Sequence, residues 1–152
     1  MINWYDLVTR DISQLPNAIS HFETELVDAK KDTRISGSIE RASAAMPGLV
    51  ETRFYQLQEV EGILEYLNIE LKQLKATYFR KYLESYNRAL SSRDCEKFVD
   101  GESSVVDFEK LINEVALLRN KWLAIVKGLD VKQWQLTNII KLRTAGLDDA
   151  TI

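Results

Sequence analysis

The sequence has few of the residues from which disulfide scaffolds and metal centres are built. Its 152 residues include one cysteine, Cys95, and one histidine, His21. A single cysteine cannot form a disulfide within the chain, and a four-ligand zinc site needs more cysteine and histidine than this. Disulfide-stabilised domains and most zinc enzymes are therefore excluded.

Proline and glycine are also scarce, which argues against a turn-rich β fold. Two prolines, Pro16 and Pro47, lie in the first third of the chain, and there are six glycines. β-Sandwiches and barrels need turn residues at short, regular intervals. With 45% hydrophobic and 28% charged residues, the composition is that of one folded domain. We therefore predict an all-α fold.

Long apolar runs are missing as well. The longest stretch without Asp, Glu, Lys or Arg has eleven residues, 12–22, and Pro16 interrupts it. A membrane-spanning helix needs roughly 20 apolar residues. Asp6 and Arg10 break up the N-terminal segment, so we expect no secretory signal. These features predict a cytoplasmic protein without a membrane partner.

The motifs that carry nucleotide or hydrolase chemistry are absent from the sequence. There is no P-loop, dinucleotide-binding glycine motif, nucleophile elbow or CxxC pair. His21 and Glu25 fit one helix face, but a di-iron bundle needs two Glu-x-x-His motifs. Cys95 has no histidine partner for nucleophilic catalysis. We predict a protein that is not an enzyme and that uses no cofactor or metal.

The net charge of −3 conceals a strong segregation of charge along the chain. Residues 1–71 carry −6, residues 72–97 carry +4, residues 98–118 carry −4 and residues 119–143 carry +5. Because salt screens charges beyond about 10 Å, an acidic protein can bind nucleic acid where its basic residues converge on one surface. The alternative is that the mixed charges only solvate helix faces.

Apolar periodicity and stop signals divide the first third of the chain into short helices. They predict one helix before Pro16, a second over residues 16–30 and a polar connector over residues 31–38. A short helix over residues 39–46 follows. Proline disfavours helical geometry in the residue before it, so Pro47 is predicted to stop or bend this helix.

A long helix is predicted over residues 48–90, where there is no proline and one internal glycine, Gly62. That glycine marks a bend or lets another helix approach closely. Some 40 residues make a rod of roughly 60 Å, longer than a domain of this size needs. Apolar residues recur along it at alternating spacings of three and four, which is a heptad pattern. We call this set the first seam: Leu57, Val60, Leu64, Leu67, Leu71, Leu74 and Tyr78.

A second long helix follows a reversal of the chain. Residues 91–99 fit a short helical turn, and Asp100-Gly101 signals its end. A capping box begins at Ser104. The second heptad pattern, which we call the second seam, then consists of Phe108, Leu111, Val115, Leu118, Trp122, Ile125 and Leu129.

Gly128 and Asp130 indicate a break, after which a last helix carries Trp134 and ends at Gly146. The expected architecture is thus a long helical hairpin with coiled-coil-like seams and short terminal helices. Antiparallel pairing would bury residues 71–78 against residues 108–122. Apolar residues beside the first seam still need cover, so we predict completion by homo-oligomerisation: Ile63, Tyr66, Ile69 and Phe79.

Residues 72–88 combine positive charge with aromatic rings, the mixture that single-strand binders use. Basic side chains track the phosphate backbone, and each stacked base contributes about 1 to 3 kcal/mol. The rings have an alternative role in the core, since Tyr78 lies on the first seam. For Arg80 and Lys81, which lie off the seam, phosphate contact and simple solvation are both open. The segment contains Lys75, Tyr78, Phe79, Arg80, Lys81, Tyr82, Tyr86 and Arg88.

From about residue 36 to residue 146, the order of these parts resembles the UvsY-type recombination mediators of tailed phages. The resemblance starts with a basic pair just before aromatics in an amphipathic helix, continues through a polar turn, and closes with a tryptophan-containing helix. The segments that carry it are Arg80-Lys81-Tyr82-Leu83 with Tyr86, Leu90-Ser91, Phe98-Val-Asp-Gly101, Val105-Val-Asp-Phe108, Trp122, Gly128-Leu129, Trp134-Gln-Leu-Thr-Asn-Ile-Ile-Lys-Leu-Arg143 and Ala145-Gly146.

The resemblance implies a non-enzymatic protein that binds single-stranded DNA and assembles into a ring-like homo-oligomer. Such a protein helps a RecA-like recombinase replace single-strand-binding protein during phage homologous recombination and repair. By position, Arg80 and Lys81 fall where the family has its DNA-contacting basic pair, with Lys75, Tyr82 and Arg88 as nearby candidates. The C-terminal helices resemble the assembly region, which would bury four residues between subunits: Leu118, Trp122, Ile125 and Leu129.

Three regions follow from this reading: a helical extension over residues 1–35, a DNA-binding region over residues 36–97 and an oligomerisation region over residues 98–152. A phage-encoded chain would act in the host cytoplasm. The alternative function is a non-enzymatic coiled-coil scaffold, for instance a phage assembly or DNA-packaging adaptor. Affinity for DNA separates the two functions.

Overall fold

The computed structural model describes residues 1–85 and 90–148, and every regular element in those ranges is helical. The all-α prediction is confirmed. A short 3-10 turn, Ile12–Gln14, joins the first two α-helices. The α-helices are α1 (Trp4–Arg10), α2 (Leu15–Asp32), α3 (Ile39–Ser85), α4 (Ser92–Asp100) and α5 (Ser103–Thr144).

The two longest helices, α3 and α5, pack side by side and run antiparallel. They contain 47 and 42 residues, which makes them about 70 Å and about 63 Å long. Tyr78 near the end of α3 meets Ser104 at the start of α5, where the two hydroxyl oxygens are 2.6 Å apart. At the opposite end, Val50 and Leu136 line the same cleft. The other helices pack against this hairpin.

Helix α3 runs through Pro47, where the sequence predicted a separate helix to stop or bend. A proline inside a helix removes one hydrogen bond and costs about 3 kcal/mol. On one side of it Met46 is buried in the core, and on the other Val50 packs against the core. Apolar burial on both sides holds the helix together, and the ring of Pro47 faces solvent.

Helix α5 also continues where the sequence predicted a break at Gly128 and Asp130. Leu129 and Leu136 are buried and extend the apolar stripe past that point. Gly128 has a packing role instead, because a Cβ atom there would lie 3.1 Å from Thr33 Cγ2 at the end of α2. Continuous burial therefore outweighs the local stop signals.

Helix α1 packs across α3 at Gly62. A Cβ atom at Gly62 would lie 3.2 Å from Cδ2 of Tyr5, so the glycine gives a neighbouring helix room, one of its two predicted roles. The backbone N–H of Trp4 donates to Glu59 Oε1 at 2.5 Å. Asn3 caps α1 by accepting a hydrogen bond from the Asp6 backbone N–H. The first residues of the chain are thus tied to the middle of α3.

The main core lies between α1, α2, α3 and α5. Trp122 is fully buried at its centre and meets Phe22 edge to face, with ring centroids 6.2 Å apart. An aromatic side chain of this size removes roughly 150 to 250 Å² from water. The buried residues of the main core are Val8, Leu15, Ala18, Phe22, Leu26, Ala29, Met46, Leu57, Val60, Ile63, Leu67, Val115, Leu118, Trp122, Ile125, Leu129 and Leu136.

A polar clamp fixes the C-terminal end of α2 to both long helices. Arg53 is 9% exposed, and its Nε donates to Asp32 Oδ2 at 2.7 Å while Nη1 reaches Glu25 Oε2 at 3.3 Å. Gln56 Nε2 also donates to Glu25. From α5, Lys132 Nζ donates to the Asp32 backbone carbonyl at 2.7 Å. Three helices therefore meet at one set of charged side chains.

Helix α4 covers the other end of the hairpin. We call this part the distal end: residues 75–85 of α3, all of α4 and residues 103–109 of α5. Cys95, Val99 and Val105 are buried there, outside the main core. Ser91 caps α4 by accepting a hydrogen bond from the Asp94 backbone N–H. The distal end carries most of the sequence-predicted DNA-binding residues.

Candidate nucleic-acid interface

Lys75 lies between two carboxylates of the distal end. Its Nζ is 3.2 Å from Glu109 Oε1 and 3.3 Å from Asp100 Oδ1. The hydrogen bond to Glu109 raises the pKa of Lys75 above its ordinary value of 10.5, with a further contribution from Asp100. Lys75 is therefore charged at neutral pH, but two acids balance that charge, and it connects α3 to α4 and α5.

Arg80 and Lys81 are the exposed basic pair of the distal end. Both side chains face solvent, and neither forms an ion pair with any residue that the structure describes. Lys81 Nζ lies 5.7 Å from the centroid of the Tyr78 ring, a weak cation–π contact at a surface site. Together they line a shallow depression beside Glu84. Two adjacent cations are thus available to an anionic partner.

The tyrosines of this segment take part in packing between helices. The Tyr82 ring stacks on Phe98 of α4 with centroids 5.6 Å apart, and its hydroxyl donates to Glu102. The Tyr78 hydroxyl pairs with Ser104 of α5. Tyr82 was predicted to contact DNA, but its ring faces a protein neighbour. Phe98 covers one face of the Tyr82 ring, and the predicted contact of Tyr82 with DNA stays a prediction.

Arg88, also predicted to contact DNA, and Tyr86 lie outside the described residues. Of the basic residues predicted to contact DNA, the structure brings together Arg80 and Lys81 at the distal end, with Lys75 close by but paired, and α4 adds the exposed Arg93 and Lys97 to this end of the hairpin. Beside them is a cleft of about 790 Å³ between α3 and α4. Its lining is apolar at the floor and mixed in charge at the rim: Lys75, Ala76, Phe79, Arg80, Leu83, Glu84, Glu96, Val99 and Asp100.

The two basic blocks of the sequence do not form one surface. Arg80 is at the distal end, whereas Lys141 and Arg143 follow the part of α5 that packs on the first turns of α3. At 1.5 Å per residue, the two sites are roughly 60 Å apart along the hairpin. The positive potential of the distal end therefore comes from a few side chains and is opposed by the acids of α4 and α5.

The four residues predicted to lie between subunits are buried inside a single chain. Their exposed fractions are 2% for Leu118, 0% for Trp122, 6% for Ile125 and 0% for Leu129. All four pack in the main core. In this conformation they offer almost no area to a second copy, so any subunit contact has to use residues on the outer surface.

Trp134 is the exposed aromatic residue that sequence reasoning placed in the last helix without giving it a role. It is 69% exposed. The signal was present in the periodicity: continuing the second seam beyond Leu129 by three and then four residues gives Lys132 and Leu136, which are buried. Trp134 falls between them and so points away from the core.

Among residues 1–85 and 90–148, no group of three His, Cys, Asp or Glu side chains is arranged to hold a metal ion. Within the same part of the chain, no helix has both the length and the apolar character needed to cross a membrane. Comparison of the chain with protein-family models, with curated proteins and with solved structures found no match. The candidate site is therefore interpreted from its own geometry.

Proposed function

We propose that this protein is a non-enzymatic recombination mediator that binds single-stranded DNA at the distal end of its helical hairpin. The observation that carries the proposal is the exposed pair Arg80 and Lys81, which forms no ion pair among the described residues. The resemblance of the sequence to UvsY-type mediators supports it, since the basic pair occupies the matching position.

The chemistry required of this pair is contact with phosphates. A guanidinium group binds phosphate oxygens in a bidentate manner, and an ammonium group adds a point charge. Lys75 supports the pair indirectly, because its bridges to Asp100 and Glu109 fix the end of α3 against α4 and α5. One such patch binds weakly, since the pair contributes two cations to the strand.

Weak patches become effective when several copies act on one strand. A ring-like homo-oligomer with coiled-coil-like contacts between copies would raise the effective concentration of each patch along the DNA. Assembly would cover apolar side chains that lie outside the main core. Those on the outer surfaces of α3 and α5 include Phe54, Tyr55, Ile69 and Leu117.

In the proposed mechanism, the oligomer binds a strand already coated with single-strand-binding protein. Repeated contacts along the strand compete with the resident protein for phosphates and weaken its hold. A RecA-like recombinase then nucleates on the strand that the oligomer presents. This activity requires binding and assembly, and it requires no catalytic residue.

The first experiment measures fluorescence anisotropy of a labelled single strand and its duplex across a salt titration. The test variant is Arg80→Ala/Lys81→Ala, and the control is Lys30→Ala/Lys31→Ala, an exposed basic pair at the end of α2 in which Lys31 Nζ lies 3.4 Å from Asp28 Oδ1. We expect the wild type to prefer the single strand. The test variant should lower the log–log salt slope by about 1.4, or about 0.7 for each lost phosphate contact.

The control should keep the wild-type slope, because both variants remove two positive charges but only one removes them from the proposed site. Equal losses in the two variants would assign binding to net charge and contradict the proposed site. A second measurement follows recombinase filament assembly on coated strands. Wild type that fails to accelerate assembly would contradict the mediator function even where DNA binding is present.

A helical scaffold or adaptor is the second candidate function. The cleft between α3 and α4 favours it, because Phe79, Leu83 and Val99 give that cleft an apolar lining of the kind that receives a partner side chain. Absence of measurable DNA binding at low salt, together with assembly into a defined oligomer, would support this function over the mediator.

A further inference from the structure

Trp134 lies on the solvent face of α5, on the side opposite the main core. Residues 129, 132 and 136 of the same helix are buried, and Trp134 is 69% exposed. The other two tryptophans differ from it, since Trp122 is fully buried and Trp4 is partly buried. An indole this exposed is mostly in contact with water, so its ring is available to a partner.

Two lysines flank Trp134 on the same face. Lys127 and Lys141 are seven residues away on either side, which is two helical turns or about 10 Å. Both are exposed, and neither has an ion-pair partner within the described ranges. Val131 lies between Lys127 and the indole. Asp130 is also on this side, one turn before Trp134, and is the acid that opposes the lysines.

We infer that this face of α5 is a second contact for single-stranded nucleic acid, with a base stacked on Trp134 and phosphates held by Lys127 and Lys141. The inference takes its ligand class from the proposed function but uses separate residues. The distance along the hairpin from the part of α3 beside Trp134 to Arg80 is roughly 50 Å. A long strand, or a strand passing between copies, would reach both sites.

Charge and area favour a nucleic acid over a second copy of the chain. Antiparallel self-pairing centred on Trp134 would set Lys127 against Lys141 of a second copy, twice across the symmetry axis. Like charges that face each other in this way are repelled. The apolar part of the face is Val131, Trp134 and Leu142, and three side chains fall short of the roughly 800 Å² that each partner of a stable protein interface buries. One ring between two cations matches the stacking and phosphate contacts of single-strand binders.

The first test uses the emission of Trp134 itself. Oligothymidylate added to wild-type protein is expected to quench the exposed tryptophan emission and to protect it from iodide. The Trp134→Phe variant should lose this signal, while the buried Trp122 stays unaffected. Trp134→Ala should weaken binding about tenfold, within the range found when a stacking ring is truncated. Trp134→Phe keeps a ring and should lose less.

The second test changes charge on the same face. Lys127→Ala/Lys141→Ala is expected to lower the salt slope by about 1.4, and Asp130→Asn should tighten binding severalfold because it removes an acid beside the phosphates. Both substitutions are at exposed positions, and circular dichroism checks that the helix is intact. Unchanged affinity in both variants would overturn the inference.

The outcomes separate this inference from the proposed function. Binding that depends on Arg80 and Lys81 but leaves Trp134 unquenched overturns the inference alone. Binding that depends on Trp134 but not on Arg80 and Lys81 overturns the proposed distal site alone. No binding by wild type overturns both. Protection of Trp134 by raised protein concentration or by anionic vesicles, without DNA, would show that another surface covers it and would overturn the inference.

Discussion

The main core and the distal end are built from the same two long helices, yet they use their side chains differently. In the main core, α1 and α2 add two layers, and the two buried basic residues there are structural: Arg53 binds two carboxylates and Lys132 binds a backbone carbonyl. At the distal end only α4 is added, and Arg80 and Lys81 are left on the surface.

The difference shows that residue type alone does not assign a basic side chain to binding or to structure. The role of a basic side chain depends on which helix packs beside it. Asp32 at the end of α2 meets Arg53 and withdraws its charge from the surface. At the distal end the acids of α4 and α5 reach Lys75 but not Arg80. Substitutions at matched positions in the two regions test this distinction.

The largest expected effect is that of Trp122→Ala in the main core. Removing a fully buried tryptophan should cost about 3 to 5 kcal/mol in the free energy of unfolding. Phe79→Ala at the distal end is the matched variant, and it should cost about 1 kcal/mol because Phe79 is only half-buried. Urea unfolding of both variants measures the contrast, and equal losses would mean that the two regions are equally well packed.

An intermediate effect is expected for Arg53→Ala, which leaves Asp32 and Glu25 without their partner. Both acids retain some exposure, so the cost should be about 2 kcal/mol rather than the full penalty of a buried unpaired charge. Arg80→Ala should change stability by less than about 0.5 kcal/mol. Thermal unfolding should show the larger loss of stability in Arg53→Ala, and DNA anisotropy should show the larger loss of binding in Arg80→Ala. A destabilised Arg80→Ala protein would contradict this contrast between the two regions.

A smaller effect than that of Arg53→Ala is expected for Lys75→Met. Its two bridges are partly exposed, so their loss should cost less than about 1 kcal/mol. Because contact with Glu109 raises the pKa of Lys75, the stabilisation is fully present below pH 10.5 and is lost as the pH rises through the raised pKa. Urea unfolding measures the difference in the free energy of unfolding between wild type and variant, and this difference should be smaller above pH 10.5 than at neutral pH. A constant difference would exclude the ion pairs as its source.

The helical class and the end of α4 at Asp100 were readable from the sequence, since both depend on local signals. The separate helix before Pro47 and the separate last helix after Gly128 were predicted wrongly, since α3 and α5 continue through these residues, and a bend at Pro47 stays a prediction. In both places a local stop signal competes with an apolar stripe on each side, and the stripe is stabilised by residues far away in the chain. Local rules do not weigh that contribution.

The candidate site was predictable in its position more than in its environment. The Arg80-Lys81 pair stands out in the sequence as two adjacent cations off the first seam. The pairing of Lys75 was not predictable, because Asp100 and Glu109 come from other helices and reach it only after the chain folds back. The exposure of Trp134 could have been read from the heptad spacing, had the seam been continued past Gly128.

The side-chain contacts across the distal end have a consequence for local opening. Lys75 with Asp100 and Tyr82 with Phe98 join α4 to α3, and both are surface contacts that open at modest cost. Native-state hydrogen exchange should therefore be faster in α4 than around Trp122. Under the proposed function, a strand bound across Arg80 and Lys81 would stabilise the folded distal end, so the part of the hairpin that opens more easily than the main core is also the part that its ligand would hold closed.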